Sequence, residues 1–177
     1  GLRIVTDKVE SMESVALGVW AAVGTRHENL LENGVAHMVE HMMFKGTPTM
    51  SAQKIAEVIE DVGGHMNAYT GREMTAYYTH LLKEDMDLAL GVLADMIQNS
   101  TMPEDEVERE RGVILQEIKM YEDDPDQLVH DHFQEAAYPN QSLGASGLGT
   151  SSIISGMKRK SLMDYTSHHY TAQNLVV

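Results

Sequence analysis

Two segments with the residue preferences of β-strands, SVALGVWAAV (14–23) and HMNAYTGREMTAYYTHLL (65–82), are separated by stretches of helical period. The second reads as two strands turning at Gly71-Arg72. Tyr69, Thr70, Thr75, Tyr77, Tyr78 and Thr79 are the β-branched and aromatic types a pleated surface accommodates. Strands and helices are mixed without strict alternation, which predicts an α+β fold: one mainly antiparallel sheet with helices packed on one face. Residues 3–5 (RIV) also read as a strand, and AQNLVV (172–177) as the start of one that continues past the chain. Helices are expected at 33–44, with Asn33 as N-cap and Gly46-Thr47-Pro48 as stop, and at 51–62, before Gly63-Gly64. Others follow at 84–99, 103–121, 126–137 and 159–169. In 84–99 the stripe Met86, Leu90, Leu93 and Ile97 is expected to face the core. Residues 139–152, rich in Gly, Ser and Asn, read as a loop.

The 177 residues are enough for one domain, 1–177, with its own core. No apolar run approaches a membrane span, so no membrane partner is expected. The net charge of −14 disfavours nucleic acid and would attract a basic partner or substrate. Cysteine is absent, so any metal site must be built from His and carboxylates.

Such a set is present in GVAHMVEHMMFKGT (34–47). On a helix at about 100° per residue, His37 and His41 share one face, one turn apart, and Glu40 lies beside them without pointing as they do. That is where a general base for a water at a two-histidine metal site belongs. By spacing alone such a histidine pair is more often simply a solvated one. A catalytic zinc takes three protein ligands, so a third must come from another element. The 103–121 helix offers Glu110 and Glu117, seven apart and on nearly one face with Ile114 between them. Carboxylates on an apolar stripe need a partner, and a metal would be one.

H-x-x-E-H is the inverted zinc-peptidase signature. GVAHMVEHMMFKGT, GGHMNAYTGREMTAYY and ERERGVILQEI follow one another in order, and the whole chain resembles the pitrilysin/insulinase family, in particular its branch like the mitochondrial processing peptidase β-subunit. The resemblance implies that His37, His41 and Glu117 ligate one Zn2+ and that Glu40 is the base and later the proton donor to the leaving amine. It implies that Glu110 supports the site from behind. It also implies that Asn67, Ala68, Tyr69 and Thr70 form the edge strand to which a peptide substrate adds as a further β-strand. The chain departs from the family in Met38-Val39, where Phe-Leu is more usual, and in Gln116, where an acidic residue is common. Family members carry two or four such domains, closing as a clamshell, and the far half supplies an Arg and a Tyr that hold the substrate carbonyl. The chain therefore reads as the N-terminal, zinc-bearing half of a zinc metalloendopeptidase, with a homologous C-terminal domain or second subunit as partner. A homodimer is among the expected assemblies. The alternative is a non-catalytic structural or peptide-binding relative. No export signal is visible, which favours the bacterial cytoplasm, with the mitochondrial matrix as alternative.

Overall fold

Strand β1 (Ser14–Ala21) lies between β3 (Thr75–Leu82) and the short β4 (Leu175–Val176), and β2 (His65–Thr70) flanks β3, giving the antiparallel order β2-β3-β1-β4 in a computed structural model that describes residues 1–177. Alternation along β3 turns Tyr77, Thr79 and Leu81 inward and leaves His80 and Leu82 exposed. Trp20 and Tyr69 are exposed as well, on the same side as their paired residue Ala76. Helices α1 (Val35–Met43), α2 (Ala52–Glu60) and α3 (Met86–Asn99) pack against the sheet. Outside them run α4 (Glu104–Glu122), α5 (Pro125–Ala137), α6 (Ser151–Gly156) and α7 (Arg159–His169), with α4 and α7 resting on α1. The α+β expectation and the hairpin at Gly71-Arg72 hold.

α1 is two-faced. Met38, Val39, Met42 and Met43 are fully buried, in one core with Ile114 and Ile118 of α4. Side chains of this size stabilise by about 1.5–3 kcal/mol each on burial. The Met38-Val39 variation is thus a matter of packing, and the opposite face is left for His37, Glu40 and His41. α4 is held in place by Arg111, whose guanidinium donates to the carbonyls of Ile154 (3.1 Å) and Met157 (2.6 Å).

Four expectations need correction. Residues 3–5 form no strand: Arg3 makes one isolated parallel bridge to Val176. The α3 stripe holds only in part: Leu93 is fully buried and Ile97 packs against the core, but the centre of the buried face lies elsewhere. Met86 and Leu90 are 42% and 43% exposed, and the buried face is Ala89, Val92, Leu93 and Met96, roughly 80° round the helix. The sheet sets that face, and Leu90 and the open side of Ile97 line an apolar groove of about 700 Å³ with Leu2 and Met163. The 139–152 region is not all loop, because a 3-10 turn at Ser142–Gly144 and the start of α6 fall within it. α6 is six residues long, too short to show a period, and is capped by Thr150 Oγ1, which accepts from the Ile153 N–H. Finally, Asn33 is not the N-cap of α1. That position is Gly34, at φ +94°. A Cβ there would lie 2.7 Å from the Leu148 carbonyl and 2.8 Å from Ile154 Cδ1, so only glycine fits.

Candidate metal centre

The N-terminus of α1 is capped from a distance. Glu28 Oε2 accepts from the Gly34 N–H (2.9 Å) and from Asn33 Nδ2 (2.8 Å), and Oε1 accepts from the Ala36 N–H (2.8 Å). Asn33 also donates to the Ser146 carbonyl, so the residue expected as a cap serves as a strut. Burial pushes the Glu28 carboxyl above its usual range, against the lowering effect of these donors. Sequence alone gave no sign of Glu28, because neither spacing nor period links it to α1. Glu28→Ala would strand the buried N–H groups of Gly34 and Ala36 and remove one of the two bonds of Asn33 Nδ2. It is expected to cost about 2–4 kcal/mol in urea denaturation and to weaken metal binding with it. A loss within error of zero would show that α1 is set by packing alone.

One turn further along, His37 Nε2 and His41 Nε2 lie 3.2 Å apart. Glu117 of α4 reaches them from outside, with Oε2 3.8 Å from His37 Nε2 and 3.7 Å from His41 Nε2. These are the three residues whose ligand atoms fall within 4.8 Å of one another. A tetrahedral zinc with bonds of ~2.0–2.2 Å holds its ligand atoms roughly 3.3–3.6 Å apart, close to what is found. Glu117 Oε2 is buried with no hydrogen-bond partner, the condition of an acceptor that awaits a cation. Burial, with His41 adding to it, pushes the His37 imidazole down to about 4, so it is neutral and available as a ligand at physiological pH. The donor set therefore fits zinc.

Behind this centre, His41 Nδ1 lies 2.8 Å from Glu110 Oε2, and Lys45 Nζ lies 2.7 Å from Glu110 Oε1. Burial works to raise the Glu110 carboxyl, but Lys45 and His41 outweigh it and hold it below the ordinary range. An ionised Glu110 fixes the orientation of the His41 ring and leaves Nε2 facing inward. Lys45 was missed from the sequence. It lies beyond the end of α1, and only the fold brings it to Glu110.

Glu40 stands beside the cluster without joining it. Its Oε2 accepts from Thr70 Oγ1. Burial raises its carboxyl, helped by Glu117 and opposed by Thr70 and His41. Asn67, Ala68, Tyr69 and Thr70 lie on β2, the edge strand of the sheet. Ala68, Tyr69 and Thr70 share a groove of about 430 Å³ with His37 and Glu40. The Asn67 side chain accepts from the Ala68 N–H at 2.8 Å. The turn that follows β2 is tied down: Thr25 and Arg26 donate through their backbone to the Gly71 and Arg72 carbonyls. Arg72 donates to the Leu143 and Ala145 carbonyls and pairs with Asp131 at 3.1 Å.

The sequence profile of the insulinase family (peptidase family M16) matches residues 3–151. An uncharacterized zinc protease of Bacillus subtilis is 46% identical over 177 residues, all of this chain and 43% of the relative. The human mitochondrial-processing peptidase subunit beta is 42% identical over the same 177 residues, 36% of its length. The crystal structure of a protease from Helicobacter pylori superposes with a TM-score of 0.95 at 26% identity, over 99% of this chain and 43% of that one. The chain thus spans less than half the length of the relatives it matches. The chain belongs to the insulinase family of peptidases, family M16, and has the fold of one of its half-domains.

Proposed function

We propose that this chain is the zinc-bearing half of a metalloendopeptidase that hydrolyses peptides or extended protein segments. The convergence of His37, His41 and Glu117 from two helices, with Glu40 beside them, carries the proposal. His37, His41 and Glu117 would hold the metal, Glu110 would keep His41 in register, and Lys45 would keep Glu110 ionised. When bound, zinc supplies a Lewis acid that polarises the scissile carbonyl and makes water more acidic. Glu40 takes a proton from the attacking water and passes it to the leaving amine. A carboxyl raised by burial is better matched to that task than an ordinary one. The free edge of β2 offers backbone groups to an extended peptide, which demands little of the substrate's sequence. Groups that hold the substrate carbonyl would come from a homologous domain or a second subunit, so the isolated 177 residues are expected to turn over poorly. The bacterial cytoplasm is the proposed compartment, with the mitochondrial matrix as alternative.

The net charge of −14 favours basic substrates. The test is cleavage of an extended Lys/Arg-rich peptide by the full-length protein, zinc-loaded and chelator-stripped. Cleavage is expected only with zinc. It should weaken with added salt and on a Glu/Asp-rich peptide. Hydrolysis that survives metal removal would overturn the peptidase mechanism, and indifference to salt and peptide charge would overturn the basic preference.

A further inference from the structure

We propose that Thr70 is a positioning residue whose hydroxyl, fixed at the end of the edge strand, aims the Glu40 carboxylate. This rests on the peptidase function proposed above and adds to it a link between the seating of substrate and the placing of the base. Thr70 Oγ1 donates to Glu40 Oε2 and is the one side-chain hydrogen-bond partner of Glu40. A glutamate on a helix has three rotatable side-chain bonds, and nothing in α1 itself holds the end of this one. The donor is fixed where the acceptor is free. Thr70 is paired with Thr75 of β3, and Thr75 Oγ1 in turn donates to the Val23 carbonyl at 3.0 Å. The next residue, Gly71, donates to the Met74 carbonyl and accepts from the Thr25 N–H, and Arg72 is anchored to the carbonyls of Leu143 and Ala145. Thr70 is therefore held by the sheet on one side and by a pinned turn on the other.

Thr70 takes one acceptor site of Oε2, which favours Oε1, on which no donor rests, as the atom that exchanges a proton. With both oxygens free, the carboxylate could rotate and present either, and fewer of its orientations would be productive. The location of Thr70 matters equally. It is the last residue of the strand whose outer edge would receive the peptide. A substrate seated along β2 braces the same strand that holds the base. Strand addition and alignment of the base are thereby joined through one side chain. Loss of the hydroxyl should leave peptide affinity alone, because backbone bonds supply it, and should lower the rate of the bound complex.

The test compares Thr70→Val and Thr70→Ser in the full-length, zinc-loaded protein. Valine keeps the shape and suits a strand but cannot donate; serine keeps the donor. Thr70→Val is expected to lower kcat by about 10- to 100-fold with KM and zinc content held, and Thr70→Ser to stay near wild type. Unchanged kcat in Thr70→Val, or an equal fall in Thr70→Ser, would overturn the proposal. Crystal structures of zinc-loaded wild type and Thr70→Val give a readout independent of turnover. Glu40 should leave its wild-type orientation in the variant, and a carboxylate that stays in place overturns the proposal whether or not the protein cleaves peptides. Failure of the peptidase function looks different: a wild-type protein that binds zinc, holds Glu40 against Thr70 and cleaves nothing.

Discussion

Glutamine in place of Glu40 is expected to lower the turnover of an extended peptide by about 10²- to 10⁴-fold while zinc content stays at the wild-type level. The substitution preserves size, and the carboxamide oxygen can still accept from Thr70. What it removes is the ability to take up a proton. Glu40 is absent from the set of three residues whose ligand atoms converge, so its loss should spare the metal. Burial of the native side chain is moderate, and a neutral amide is no harder to bury than a carboxylate. The measurements are kcat at saturating peptide and metal analysis of the same preparation. Undiminished turnover would take Glu40 out of the proton transfer. Parallel loss of zinc and turnover would make it a ligand.

Glu117→Gln should act on the other half of the chemistry. It replaces an anionic ligand with a neutral one, and zinc affinity is expected to fall by more than about 100-fold. Glu110→Gln, one step further from the metal, should weaken binding by about 10- to 100-fold, through the orientation of His41. The order of the two is the test. Competition with a chromophoric chelator measures both, and the melting temperature of the metal-free proteins separates lost ligation from lost folding. The Glu117 Oε2 atom has no partner without a metal, so Glu117→Gln should leave the metal-free fold intact. Full zinc retention in Glu117→Gln, or a larger defect in Glu110→Gln, would reverse the roles given to the two glutamates.

The parts of this site that follow a helical period were legible in the sequence. His37 and His41 one turn apart, and Glu110 and Glu117 two turns apart, declare a shared face as soon as a helix is assumed. The spacing left open which glutamate comes nearer the metal. It is Glu117 that approaches both Nε2 atoms, while Glu110 meets the far side of His41. Groups recruited by tertiary contact were not legible. Glu28 reaches α1 from the bend after a short 3-10 turn at Thr25–His27, which has no pattern of its own, and Lys45, just past α1, meets Glu110 of α4. The same cause explains the misplaced face of α3. Met86 and Leu90 fit a helical stripe as well as Ala89 and Met96 do, and only the sheet decides which of them is covered. Thr70 shows the limit from the other side. It was legible as part of an edge strand, but its side-chain bond to Glu40 depends on how β2 lies against α1.

The unpaired outer side of β2 has one more consequence. Six residues at ~3.3 Å each make a ruler about 20 Å long. Anything laid against it must be extended over that distance with one backbone edge free, whatever its amino acids. A helix, or a strand paired on both sides within its own sheet, has no spare backbone to offer. If substrates add to this edge as proposed above, the site would sort polypeptides by conformational state before it consults their sequence.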